Sequence, residues 1–143
     1  MDIGENFWNG LLEVPEKTGS IDLDACGIDD LVRDMPGRDR DFSAGVYFDC
    51  LGNFIGILRM ADCGLSPATD SHNELVRKAL ALGAVTMVAV RWFCLIDSPH
   101  IDMADMAFAV GVGNAAEALG ITLSDVMLIG RKTYCSFCDE GMM

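Results

Sequence analysis

The side chains with the potential for chemistry lie between an apolar run over residues 84–90 and Asp105. Cys94, His100 and Asp105 are residue types that bind zinc, and three such ligands would leave a fourth position open for a water molecule. Zinc lowers the pKa of that water into the neutral range, which would support hydrolysis of an amide or isopeptide bond. The spacing of these residues matches no zinc-binding motif, and the loop that carries His100 would have to fold back to bring the three together. A remodelled zinc site is therefore an alternative interpretation.

Arg91, Trp92 and Phe93 directly follow the apolar run and suit binding better than catalysis. The Arg91 guanidinium stays protonated and only donates hydrogen bonds, and Phe93 has no lone pair, so neither can bind a metal ion. Trp92 and Phe93 have the apolar surface that lines a partner or ligand pocket, although burial in the core would explain them equally well. We expect Asp105 to lie in the first turn of a helix and to pair with Arg91.

The elements that position these residues follow from apolar periodicity and turn signals. A hairpin is predicted around Leu51-Gly-Asn53, and Ser71 with Glu74 has the spacing of a capping box at a helix start. The predicted elements are a short helix over 28–33, strands over 45–50 and 54–60, a helix over 73–82, a strand over 85–91, a helix from a cap at Asp102 to Leu119, and strands over 126–129 and 133–137. Strands joined through helices predict a layered α/β domain.

The predicted helix over residues 103–119 is apolar almost all round, with only two charged residues. A helix of this kind is buried on more than one side. We expect it to form a homodimer or partner interface in which Met106 and Val110 make contacts. Alternatively, residues 1–40 cover it.

The chain is strongly acidic, with a net charge of −12 over 143 residues. Residues 1–49 hold 12 of the acids and 4 of the bases. This length suits one domain, which we expect over residues 41–143 behind an acidic N-terminal extension over 1–40. A negative surface repels a phosphate backbone, so direct nucleic-acid binding is disfavoured, and the acidity indicates either a basic protein partner or solubility alone. The chain has no apolar run of membrane-spanning length and no signal-peptide pattern, so we expect a cytoplasmic protein.

From about Asp41 to Phe137 the chain resembles the RadC-like branch of the JAB/MPN (JAMM) domains. The segments that carry the resemblance, in order, are Phe48-Asp-Cys-Leu-Gly-Asn-Phe-Ile55, Cys63-Gly-Leu65, His72-Asn-Glu-Leu-Val-Arg-Lys-Ala-Leu80, Leu119-Gly-Ile-Thr-Leu-Ser-Asp125, Leu128-Ile-Gly130 and Tyr134-Cys-Ser-Phe137. The resemblance implies a cytidine-deaminase-like α/β/α sandwich with a mixed β-sheet.

In active members of this family, a His-x-His pair and a later Asp bind zinc, and an upstream Glu activates the bound water. The two His positions correspond here to Arg91 and Phe93, and the Glu position to the shorter Asp41. The family's Ser corresponds to Asp102 and its Asp ligand to Asp105. One ligand of three does not hold zinc, and the cation at Arg91 would repel it. These positions are therefore expected to be vestigial, with no catalytic residue and no cofactor.

The favoured interpretation is a catalytically inactive RadC-like domain that acts by binding a protein. The family is associated with mobile elements and phage-like DNA, and on that association we expect a regulatory or anti-defence role. The partner would be a basic protein, such as a nucleic-acid enzyme. Two alternatives stay open, which are the metal-dependent hydrolase with the remodelled zinc site and a structural dimerisation module.

Overall fold

A computed structural model describes residues 10–13, 23–61 and 68–143, with side chains over 23–60 and 72–143. In this part the chain forms six strands and three helices. They are β1 (Gly10–Glu13), α1 (Ala25–Arg33), β2 (Phe42–Phe48), β3 (Phe54–Ala61), α2 (Ala68–Leu82), β4 (Thr86–Trp92), α3 (Met103–Ala118), β5 (Thr122–Ile129) and β6 (Tyr134–Ser136). No helix within the described ranges has the length and apolar character that crossing a bilayer requires.

The six strands form one mixed sheet in the order β1-β3-β2-β4-β5-β6. The pairs β1–β3, β2–β3, β2–β4 and β5–β6 are antiparallel, whereas β4 and β5 are parallel. Parallel neighbours need a crossover connection, and α3 provides it between β4 and β5. The predicted α/β fold with a mixed sheet is confirmed.

Alternate residues of each strand point to opposite sides of the sheet, and both sides have apolar side chains. Helices cover both faces. On one face, α1 packs on a cluster that includes Val46, Val90 and Ile129. On the other face, α2 and α3 pack on a cluster that includes Ala89 and Leu128. The domain therefore has helix, sheet and helix layers, and the strand β4 that carries Arg91 is central.

Part of the predicted N-terminal extension contributes to this fold. The α1 residues Ile28 and Val32 are buried in the same cluster as Phe42 and Trp92. β1, which was not predicted, extends the sheet at the edge opposite to β6. α1 lies on the face of the sheet away from α3, and β1 lies at the far edge of the sheet. Neither element therefore covers α3. Cover by residues 1–9 or 14–22 lies outside the described residues, and the boundary between residues 40 and 41 stays a prediction.

Two helix starts test the cap assignments. Asp102 is the N-cap of α3, as predicted, and its carboxylate accepts from the backbone N–H of Asp105. The cap at Ser71 is wrong, because α2 is already helical from Ala68.

Candidate functional site

An ion pair between Arg91 and Asp105 forms the centre of the candidate site. Arg91 lies near the end of β4 on the face toward α2 and α3, and Asp105 lies in the first turn of α3. The Arg91 Nη1 atom is 2.9 Å from Asp105 Oδ1. The side chain of Asp105 is 4% exposed and that of Arg91 is 22% exposed. The predicted pairing therefore exists, and the carboxylate is the more deeply buried partner.

The second carboxylate oxygen of Asp105 is used by the helix cap. The backbone N–H of Asp102 donates to Asp105 Oδ2 over 3.1 Å, and the N–H of Asp105 donates to Asp102 Oδ1 over 2.9 Å. Burial raises the pKa of Asp105, and the Asp102 N–H and the Arg91 charge oppose this increase. The pKa of Asp102 is lowered, chiefly by the hydrogen bond from the Asp105 backbone. Both Asp105 oxygens thus have donors, as a structural carboxylate requires.

Aromatic rings surround the Arg91 guanidinium. Its central carbon is 5.1 Å from the centroid of the Phe93 ring and 5.5 Å from that of Phe108. Cations at this distance are attracted to the ring faces. The His72 ring meets Phe108 edge to face at 5.4 Å. A Cβ atom at Gly111 would overlap the His72 ring, so this glycine makes room for the histidine.

His72 belongs to this cluster, although the predicted helix began one residue after it. It lies inside α2, four residues after the helix start. Burial lowers the pKa of His72, and the nearby Arg91 charge lowers it further. An imidazole in this setting is neutral at physiological pH. No sequence signal pointed to this contact, because only the packing of α2 on α3 brings the ring to Phe108.

Asp41 and Cys94 form a separate contact. The Asp41 Oδ1 atom accepts a hydrogen bond from the backbone N–H of Cys94 over 2.8 Å. Burial raises the pKa of the Cys94 thiol, and the neighbouring Asp41 carboxylate raises it further. Asp41 therefore holds the chain segment that follows β4, and its described contact is structural.

The residues at this site do not fit a zinc ion. Arg91 and Phe93 offer no lone pair, and the Asp105 oxygens already accept from Arg91 and Asp102. The alternative ligand set of Cys94, His100 and Asp105 is not assembled: Cys94 packs toward the α1 face, whereas Asp105 lies on α3 on the opposite face. His100 is exposed. Across residues 23–60 and 72–143, where side chains are described, no group of three His, Cys, Asp or Glu side chains is placed to hold a metal ion.

The predicted binding residues divide into three groups. Trp92 follows the burial alternative, because it is buried on the α1 face and its indole Nε1–H donates to the Arg38 carbonyl over 2.9 Å. Arg91 and Phe93 are partly exposed at the ion pair. Met106 and Val110 lie on the exposed side of α3, 45% and 61% exposed.

The structure adds an apolar groove beside α3 that sequence reasoning missed. Strand β6 pairs only with Met127–Ile129, so the first half of β5 has no strand on its outer side in the described sheet. The groove lies between that half-strand, α3 and the C-terminal residues, and has a volume of about 840 Å³. Its main apolar lining residues are Met106, Ala109, Val110, Leu123, Phe137 and Met142. The exposed residues at 103, 106 and 110 were a detectable signal, since this spacing places them on one stripe of a helix.

Comparison with known proteins identifies the family of the chain. A family model described as the RadC-like JAB domain matches residues 28–142, starting within α1 and upstream of the predicted domain start. A UPF0758 protein from Rhodobacter capsulatus is 37% identical over 70 residues, which are 49% of this chain and 32% of that protein. The matched part is thus about a third of that relative. Because the family model covers most of the chain, the protein belongs to the RadC-like JAB domain family.

Proposed function

We propose that this protein is a catalytically inactive RadC-like JAB domain that acts by binding another protein. The observation that carries the proposal is the ion pair at 2.9 Å between Arg91 and the buried Asp105. A hydrolytic zinc site needs three lone-pair donors around the metal and an open position for water. Here a permanent cation uses the one carboxylate that corresponds to a family ligand.

Electrostatics supports the loss of metal binding. Zinc beside Asp105 would have to displace a guanidinium that is held by the carboxylate and by the Phe93 and Phe108 rings. It would then face a positive charge that does not titrate at any physiological pH. Each of these costs opposes binding, and no second ligand compensates.

The surface properties support binding as the remaining function. Met103, Met106 and Val110 expose a continuous apolar stripe on α3, next to the groove. Exposed apolar patches bordered by polar residues mark interaction sites on soluble proteins. The net charge of −12 favours a basic partner and opposes direct contact with a nucleic acid. A basic nucleic-acid enzyme remains the type of partner that we propose.

Zinc content tests the inactive state directly. Untagged protein is incubated with zinc and desalted, and its metal is then measured by mass spectrometry. We expect far less than one zinc per chain. The double variant Arg91→His, Phe93→His should bind about one zinc, because with Asp105 it supplies three ligands and leaves one position open.

The matched control is Arg91→Ala, Phe93→Ala, which removes the cation without adding donors and should bind no zinc. The proposal is abandoned if the unaltered protein retains stoichiometric zinc and cleaves an isopeptide substrate in a chelator-sensitive way.

A further inference from the structure

We infer that α3 binds a cationic amphipathic helix of the partner protein. The inference rests on the proposed binding function and specifies its ligand class. The α3 surface is defined here as the exposed stripe Met103, Met106 and Val110 together with the adjoining groove. The arguments concern its shape, its side chains and its charge.

The shape of the α3 surface suits a helix. The three stripe residues follow one another at spacings of three and four, so they form a ridge along α3. A groove runs along one side of this ridge, and a second hollow, lined by His72, Gly111 and Asn114, lies on its other side. A ridge between two hollows matches the ridges-into-grooves packing of helices. With 16 residues, α3 is about 24 Å long, enough for a partner helix of about four turns.

The side chains of the α3 surface are adaptable. Met103 is 85% exposed, and Met106, Met142 and Met143 also lie at this surface. Methionine is unbranched and polarisable, and it is frequent on surfaces that accept apolar faces of differing sequence. In the helix-in-groove mode, residues at i, i+3, i+4 and i+7 of the incoming helix supply that apolar face.

Charge selects a cationic helix over a second copy of this chain. Glu117 is the one charged residue that lines the groove in the described structure. Asp139 and Glu140 are exposed in the short segment that joins two residues of the groove lining, Cys138 and Met142. The exposed cations closest in sequence, Arg131 and Lys132, pair with Asp97. A second copy would bring the same acids to the same surface and another net charge of −12. Lysines beside an apolar face would instead meet carboxylates that have no ion-pair partner among the described residues.

Three fluorescent 18-residue peptides test the inference by fluorescence anisotropy against the full chain. The first places leucines on one helical face and lysines elsewhere. The second has the same composition in an order without helical periodicity. The third keeps the leucine face but replaces every lysine with glutamate. We expect only the first to bind, with an affinity that falls as salt is raised.

Substitutions in the protein locate the binding. Val110→Lys should weaken binding of the first peptide by about tenfold or more, while Leu51→Lys, at a residue that is 81% exposed in the β2–β3 turn, should leave it unchanged. Glu117→Gln should weaken binding by about twofold to fivefold, and Asp30→Asn on α1 should not. Circular dichroism establishes that each variant is folded.

The outcomes separate the inference from the proposed function. If the second or the third peptide binds as well as the first, the inference that the ligand is a cationic amphipathic helix is wrong, while the proposal of binding through the α3 surface survives. If Val110→Lys leaves binding of the first peptide intact, the α3 surface is not the binding site, and both the inference and the proposed function lose it. If no peptide binds and sedimentation detects a dimer that Val110→Lys dissociates, a second copy is the ligand and the inference is overturned.

Discussion

The strongest quantitative test of the site is a double-mutant cycle on the Arg91–Asp105 pair. Asp105→Asn removes the charge but keeps an oxygen that can accept from the Asp102 N–H, so the helix cap is preserved. Arg91→Met removes the guanidinium and keeps an apolar side chain between the Phe93 and Phe108 rings. The two single variants and the double variant isolate the interaction of the two charges.

The expected size follows from burial. Removing one partner of a fully buried pair costs about 3–5 kcal/mol, and an exposed pair is worth about 0.2–1 kcal/mol. Asp105 is 4% exposed and Arg91 is 22% exposed, so this pair lies between these limits. We expect each single variant to lose about 2 kcal/mol of unfolding free energy. Because the double variant leaves no unpaired charge, it should lose about 2–2.5 kcal/mol, which gives a coupling of about 1.5–2 kcal/mol.

Urea unfolding followed by circular dichroism measures the unfolding free energies of the unaltered protein and the three variants. The slope of free energy against urea concentration must be the same in all four for the cycle to be interpreted. The corresponding change in Tm is about 3 °C per kcal/mol for a chain of this size. A coupling below about 0.5 kcal/mol would refute the reasoning, because it would mean that water and not Asp105 satisfies Arg91. The argument that the pair blocks zinc would then lose its energetic basis.

Three further predictions concern the packing around this pair and under the sheet. Burial lowers the pKa of His72 in the folded state, so as the pH falls the unfolded state takes up a proton first, and stability should decrease below about pH 6.5. In urea unfolding at pH 7.5 and 5.5, His72→Asn should lose less unfolding free energy between the two pH values than the unaltered protein does. Equal losses in the two proteins would contradict this assignment. Gly111→Ala should lower Tm because the added Cβ overlaps the His72 ring. Gly113→Ala, where the nearest atom to the added Cβ is 3.8 Å away, should raise the unfolding free energy by up to about 1 kcal/mol. A Gly111→Ala variant with a higher Tm would disprove the close contact. Tyr47→Phe should cost about 1–2 kcal/mol in urea unfolding, because the buried hydroxyl donates to the Leu75 carbonyl over 2.6 Å, and an unchanged stability would show that this bond contributes nothing.

Much of the core could be predicted from local pattern alone. The strand predicted over residues 85–91 corresponds to β4 (Thr86–Trp92), and the Asp102 cap starts α3. Both depend on features that act over a few residues, namely continuous burial of a central strand and the hydrogen bond from a helix start to a carboxylate. The missed elements differ in kind. β1 is four residues long and depends on pairing with β3, so its own sequence contains little information about it.

The sequence by itself determined that neither Arg91 nor Phe93 can donate a lone pair to a metal ion, whatever the fold. It also determined the net charge of −12. Only the tertiary structure decided that Arg91 meets Asp105, that Trp92 is buried on the opposite face, and that His72 fits against Gly111. These contacts join residues on different elements, and their distances follow from how the helices pack on the sheet. The apolar stripe on α3 was detectable in the sequence, but the groove beside it depends on tertiary structure, since it exists only where β6 ends short of the full length of β5.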